Sequence, residues 1–229
     1  MEGRTTLKQV LSTKMLSEPQ KKKLSEVTIN LFEYEALHIE YIDFETPATI
    51  QNAIFTSKNA VRAVKNSNKS ALLGSFEHCY CVGESTKAIL EENGQKVTKS
   101  AKNSSELANF IKNQLKNEAF YFFCGNLRRD EIPEKLKMAE ITCFEVKTYK
   151  TKLNSVKFDQ KWDYILFFSP SGVQSFISKN NFGDAAAICI GETTASEAIK
   201  YTQSTHLSDE TTIDSVIEKA ISVIKNNPI

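Results

Sequence analysis

"FTSKNAV" at residues 55–61 and "FFSPSGV" at residues 167–173 match at a constant offset of 112, with Phe55 over Phe167, Ser57 over Ser169 and Val61 over Val173. Each stretch closes an apolar run, passes through small hydroxyl residues and turns apolar again, as a strand does when a short loop feeds it into a helix. The pairing continues downstream. "CVGESTKAIL" at 81–90 and "CIGETTASEAI" at 189–199 place Gly83, Glu84 and Thr86 over Gly191, Glu192 and Thr194, now 108 apart. Leu107, Phe110, Ile111 and Leu115 recur at helical spacing, and Ile213, Val216, Ile217 and Ile221 repeat them 106 residues later. Both helices open on a capping signal, Asn103 three before Glu106 and Thr211 three before Asp214.

The first helix leads into "AFYFFCG" (119–125), "NLRRDEIPEKL" (126–136) and "EITCFEV" (140–146), and no such segments follow the second. Their counterpart stands near the start of the chain. "QVLSTKMLSEPQKKKL" (9–24) lays Leu24 over Leu136, again 112 apart, and "EVTINLFEY" (26–34) parallels "EITCFEV". A repeat displaced in this way predicts one continuous domain, 37–149, and one discontinuous domain, 1–36 plus 150–229. The chain would cross between them in "ALHIEYIDF" (36–44) and "VKTYKT" (146–151). Short apolar strands alternating with helices of about three turns give an α/β fold of two flavodoxin-like, doubly wound parallel-sheet domains, joined by a two-stranded connector.

Composition limits what such a protein does. With 41% hydrophobic and 25% charged residues the chain is not of a disordered kind, and a net charge of +1 supplies no field for drawing in nucleic acid or an acidic membrane. The longest apolar runs, such as "YILFF" and "AAAICI", are too short to span a bilayer, and "MEGRTTLKQV" lacks the apolar core of a signal peptide. The expected location is cytoplasmic, with the five cysteines reduced. "HCYC" at 78–81 lies along a predicted strand and reads as core, so no metal site is expected. Trp162 reads as packing at a strand start.

In parallel sheets, ligands gather beyond the carboxyl ends of the strands. The loops there are "STKM", "TSKN", "GEST", "CGNLRR", "SPSG" and "GETT", which would face one another across a cleft. They carry Ser, Thr, Asn and Gly at helix starts, where free N–H groups and the helix dipole favour carboxylates or phosphates. For any one of these loops ordinary helix capping is the better explanation, and it is the four matched loops in two copies that shift the balance toward a shared binding cleft. Arg128 and Arg129 stand at a strand end, as acid-binding groups or as solvated charges. Tyr149 lies on a crossing, where a phenol serves as a proton source or simply packs.

Taken together, "FTSKNAV", "CVGESTKA", "CGNLRRDEIPEKL", "VKTYKT", "FFSPSGV" and "CIGETTA" resemble the uroporphyrinogen-III synthase family in kind and order, over most of 54–199. The resemblance implies two α/β domains with the site in their cleft. It also implies a lyase reaction without metal or organic cofactor: hydroxymethylbilane, a linear tetrapyrrole polycarboxylate, closes to uroporphyrinogen III with inversion of the last ring and loss of water. By motif match the substrate-binding residues are Thr56, Ser57, Lys58, Asn59, Thr86, Gly125, Asn126, Ser169, Ser171, Gly172, Thr193 and Thr194, with Tyr149 assisting departure of the hydroxyl. Lys58 and Asn59 stand where members of the family often carry Pro and Arg, so Lys58 either replaces a missing charge or points to solvent. Further implied are a monomer and a transient contact with hydroxymethylbilane synthase. A non-catalytic two-lobed anion-binding protein, or an inactive pathway scaffold, is the competing reading.

Overall fold

The structure, a computed structural model, describes residues 7–115, 118–127 and 130–226. The chain runs through β1 (Lys8–Ser12), α1 (Glu18–Leu24), β2 (Ile29–Glu33), β3 (Leu37–Tyr41), β4 (Asn52–Phe55), α2 (Lys58–Lys65), β5 (His78–Val82), α3 (Glu84–Glu92), β6 (Lys99–Ala101) and α4 (Ser104–Gln114). It continues through β7 (Phe120–Gly125), α5 (Glu131–Met138), β8 (Cys143–Leu153), β9 (Tyr164–Phe167), α6 (Pro170–Ile177), β10 (Ala186–Cys189), α7 (Glu192–Ala198), β11 (Thr205–Leu207) and α8 (Ile213–Asn226). Two compact units result: residues 1–38 with 152–229, and residues 39–151.

The strands "NAIF", "YILF" and "AAIC" are buried at every residue, as expected where a parallel sheet is covered on both faces. One sheet has the order β11-β10-β9-β1-β2 and the other β3-β8-β7-β4-β5-β6. Replacing β9 by β4, β10 by β5, β11 by β6, β1 by β7 and β2 by β8 turns the first order into the second, apart from β3. Numbered along the chain, the first sheet reads 2-1-3-4-5, the flavodoxin order. In the second the strands hold the same places, but after the added edge strand β3 the chain enters the shared order at β4, the strand equivalent to β9. The repeat at offset 112 is therefore a repeat of sheet position, and the N-terminal strand completes the sheet begun by the C-terminal segment.

Each sheet has an apolar cluster on both faces. In the second unit, Phe55, Phe123, Cys79, Cys81 and Val146 lie together on one face, and Ile54, Tyr80, Phe120 and Phe122 on the other. Phe55 and Phe123 stack at 4.8 Å between centroids and 6° between planes. Thus Cys79 and Cys81 are core residues, and none of the five cysteines is in a disulfide. Trp162 is buried and meets Phe32 edge-on at 5.2 Å. In α4 the cap is as read: the Asn103 side chain accepts from the Glu106 N–H at 2.9 Å. In α8 it lies one residue later than read, because the Thr212 hydroxyl, not Thr211, accepts from the Ser215 N–H at 3.1 Å. Among the described residues, no helix is long and apolar enough to cross a membrane.

Candidate active site

In the second unit, β4 ends at Phe55 and Ser57 caps α2, its hydroxyl accepting from the Asn59 N–H at 3.1 Å. A serine is favoured there because it satisfies one of the donors that a helix start leaves open. Tyr149 reaches the same oxygen from β8, its phenol donating to Ser57 Oγ at 3.1 Å. With two donors on the Ser57 oxygen, its own proton is left for a ligand. Burial raises the Tyr149 pKa above the ordinary phenol value, with the Ser57 hydrogen bond opposing, so the phenol keeps its proton at neutral pH.

These two hydroxyls sit in a pocket of about 320 Å³ that Thr56, Gly125, Lys102, Asn103 and Ser104 also line. It lies beyond the carboxyl ends of β4 and β7, the adjacent strands at which the sheet order reverses, where parallel sheets bind ligands. Thr56, Ser57, Gly125 and Tyr149 are thereby brought together from three separate motifs. Lys102, Asn103 and Ser104 belong to the same pocket, although the sequence marks Asn103 only as a helix cap. The cap signal was the available clue, since α4 starts at the same sheet end.

Other candidates lie elsewhere. Lys58 is exposed on the first turn of α2, and Asn59 contributes its backbone N–H to Ser57. Asn126 is engaged with the backbone of Thr151: its Oδ1 accepts from the Thr151 N–H at 2.7 Å and its Nδ2 donates to the Thr151 carbonyl at 3.4 Å. Thr86 is buried on α3, and Glu84 and Ser85 are the exposed residues of that helix start. Arg128 and Arg129 lie outside the described residues.

The first unit repeats the arrangement without a phenol on the capping serine: Tyr34, which follows β2, makes no hydrogen bond to Ser169. Ser169 caps α6, its hydroxyl accepting from the Gly172 N–H at 3.0 Å, and Ser171 is half-buried beside it. Thr13, at the end of β1, donates its hydroxyl to the Leu166 carbonyl at 2.7 Å. A Cβ on Gly172 would stand 3.4 Å from Thr13 Oγ1, so the first turn of α6 lies beside the residue that follows β1. Thr13 was within the rim loop "STKM" but carried no separate signal. On α7, Thr193 is exposed and Thr194 buried, the same inward placement as Thr86. A pocket of about 240 Å³ around Phe158, Trp162 and Phe182 lies at the amino ends of β9 and β10, the opposite end from the rims.

Fold and rims together define an α/β protein of two related parallel sheets, each ending in capped helix starts suited to anions. The chain belongs to the uroporphyrinogen-III synthase HemD family, whose model matches residues 22–218. Among solved structures it is similar to uroporphyrinogen-III synthetase from Helicobacter pylori, with a TM-score of 0.75 and 19% identity over 95% of this chain and 100% of that one. It is also similar to a substituted uroporphyrinogen III synthase from Thermus thermophilus, with a TM-score of 0.61 and 10% identity over 96% of this chain and 100% of that one. At these identities both likenesses are of fold. A comparison with curated proteins gives no match.

Proposed function

We propose that the protein is a hydro-lyase of tetrapyrrole biosynthesis that converts hydroxymethylbilane to uroporphyrinogen III. The observation that carries this reading is the Tyr149–Ser57 hydroxyl pair in its pocket at the carboxyl end of the sheet, in a chain of the HemD family. The reaction needs one proton in transit. Tyr149 supplies it through Ser57, whose hydroxyl gives its own proton to the terminal hydroxyl and takes the phenol proton in turn; water leaves, and the azafulvene cation is attacked by the far pyrrole through a spiro intermediate that inverts the last ring. The proton lost when the new pyrrole regains aromaticity restores the phenol.

Because a protonated hydroxyl leaves readily, a phenol of raised pKa suffices as a hydrogen-bond donor and strong acid is not required. The larger task is to fold a flexible polycarboxylate so that inversion outruns simple closure, a matter of position. Helix starts at Ser57 and Ser169 suit acetate and propionate groups, because their N–H groups are fixed before the ligand arrives. The test is to generate hydroxymethylbilane in place with its synthase, add the protein, oxidise, and separate the porphyrin isomers. Isomer III is expected, and isomer I alone would overturn the proposal. Isomer I together with tight binding of the tetrapyrrole would favour a non-catalytic binding protein.

A further inference from the structure

We propose that Gly125 and Thr148 are positioning residues: Gly125 leaves the space, and Thr148 supplies the extra strand residue, that together turn the Tyr149 phenol onto Ser57. The inference rests on the role given above to Tyr149 and explains how that residue comes to face the pocket.

In a regular strand, residues three apart point to opposite faces. Val146 and Tyr149 are three apart on β8, yet both pack against the same apolar cluster around Phe55 and Phe123. The register explains it. Cys124 pairs with Lys147, but the next residue, Gly125, pairs with Tyr149, so Thr148 is an inserted residue that flips the alternation after it. Thr148 is fully buried and held from both sides. Its hydroxyl donates to the Cys124 carbonyl at 3.4 Å, and its own carbonyl accepts from the Ile42 N–H at 3.0 Å, just past the end of β3. The first unit is an internal control: β1 and β2 pair without interruption from Lys8–Ile29 to Ser12–Glu33, it has no counterpart of β3, and Tyr34, which follows β2 and packs in the cluster around Leu11 and Phe176, makes no hydrogen bond to the Ser169 cap.

Gly125 completes the seat. A Cβ there would stand 2.5 Å from both Cε2 and Cζ of Tyr149 and 2.9 Å from its hydroxyl, distances that no real contact shows. Any side chain at 125 must expel the ring. Gly125 does not hold a positive φ, so close approach, not backbone conformation, demands the glycine.

The test is Gly125→Ala, with fluorotyrosine incorporated at position 149 and read by fluorine NMR without substrate. In the parent protein the phenol should titrate above free fluorotyrosine, and in Gly125→Ala it should return to the free value. Turnover to isomer III should fall roughly ten- to a hundredfold in kcat with little change in KM. In a Tyr149→Ala background, Gly125→Ala should then have no further effect. If the single variant does not fold, the double variant should, since the clash is gone. An unchanged fluorine titration, an equal loss of turnover in both backgrounds, or a double variant that is also unfolded would overturn the inference. The fluorine measurement needs no turnover, so a protein giving isomer I alone would remove the proposed reaction and leave this placement standing.

Discussion

Ser57 and Ser169 are matched residues with unequal work, and replacing each by alanine separates capping from the phenol contact. Both hydroxyls accept from a backbone N–H in the first turn of their helix, at 3.1 and 3.0 Å. Losing such a cap costs about 1 kcal/mol. Only Ser57 also accepts from a phenol, at 3.1 Å, and a neutral hydrogen bond of this kind is worth about 1 kcal/mol net. Ser169→Ala should therefore destabilise by about 1 kcal/mol and Ser57→Ala by about 2 kcal/mol. Urea unfolding at neutral pH measures both, through shifts of the midpoint at constant slope. A double-mutant cycle of Ser57→Ala with Tyr149→Phe should return a coupling of about 1 kcal/mol, because the two residues share one bond. Equal costs for the two alanine variants, with no coupling in the cycle, would show that the phenol does not rest on Ser57. The account of the pocket would then fail at its centre.

Phe123→Ala should cost about 3–5 kcal/mol, since the ring is fully buried and stacked on Phe55, whereas Phe144→Ala, at a half-exposed position, should change stability by about 0.5 kcal/mol in the same assay. Burial pushes the Cys189 thiol up to about 12 and also raises Cys79 and Cys81, so the folded state holds these protons more tightly than the unfolded chain. Their contribution to stability is present in full below about pH 8.5, where unfolded thiols begin to ionise, and is lost as pH rises toward the folded values. Denaturation midpoints should fall over that alkaline range, and less steeply in Cys189→Ala. Of the five thiols only Cys143 is half-exposed, so a thiol reagent applied to the native protein should show one fast phase, absent in Cys143→Ser.

What the sequence reveals and what it hides divide along a physical line. Strand identity and order were legible because a buried parallel strand must be apolar at every residue, and "NAIF" and "YILF" could hardly be anything else. The displaced repeat was legible because sheet position constrains composition: β1 carries polar residues at Lys8 and Gln9, yet Val10 and Leu11 fill the places that the central location requires. Capping was legible to within a residue, since Thr211 and Thr212 offer the same hydroxyl and only the turn geometry selects the second.

The site was legible as loops and not as side-chain directions. Thr86 and Thr194 occupy equivalent helix starts and look equally available in one dimension, but the helix phase turns both inward. Asn126 reads as a donor for a ligand, whereas β7 ends at Gly125 and the Asn126 carboxamide bonds the Thr151 backbone on the side that β7 no longer covers. Tyr149 is the sharpest case. Period-two reading from Val146 sends it to the wrong face, and one inserted residue, which no propensity scale marks, brings it back. Sequence repetition finds what the two units share, and it is blind to what only one of them has. The bulge at Thr148, the phenol–serine bond behind it and the strand β3 that helps to hold it are all unshared. If chemistry is asymmetric between the two sheets, it resides there, on the unit that departs from the repeat.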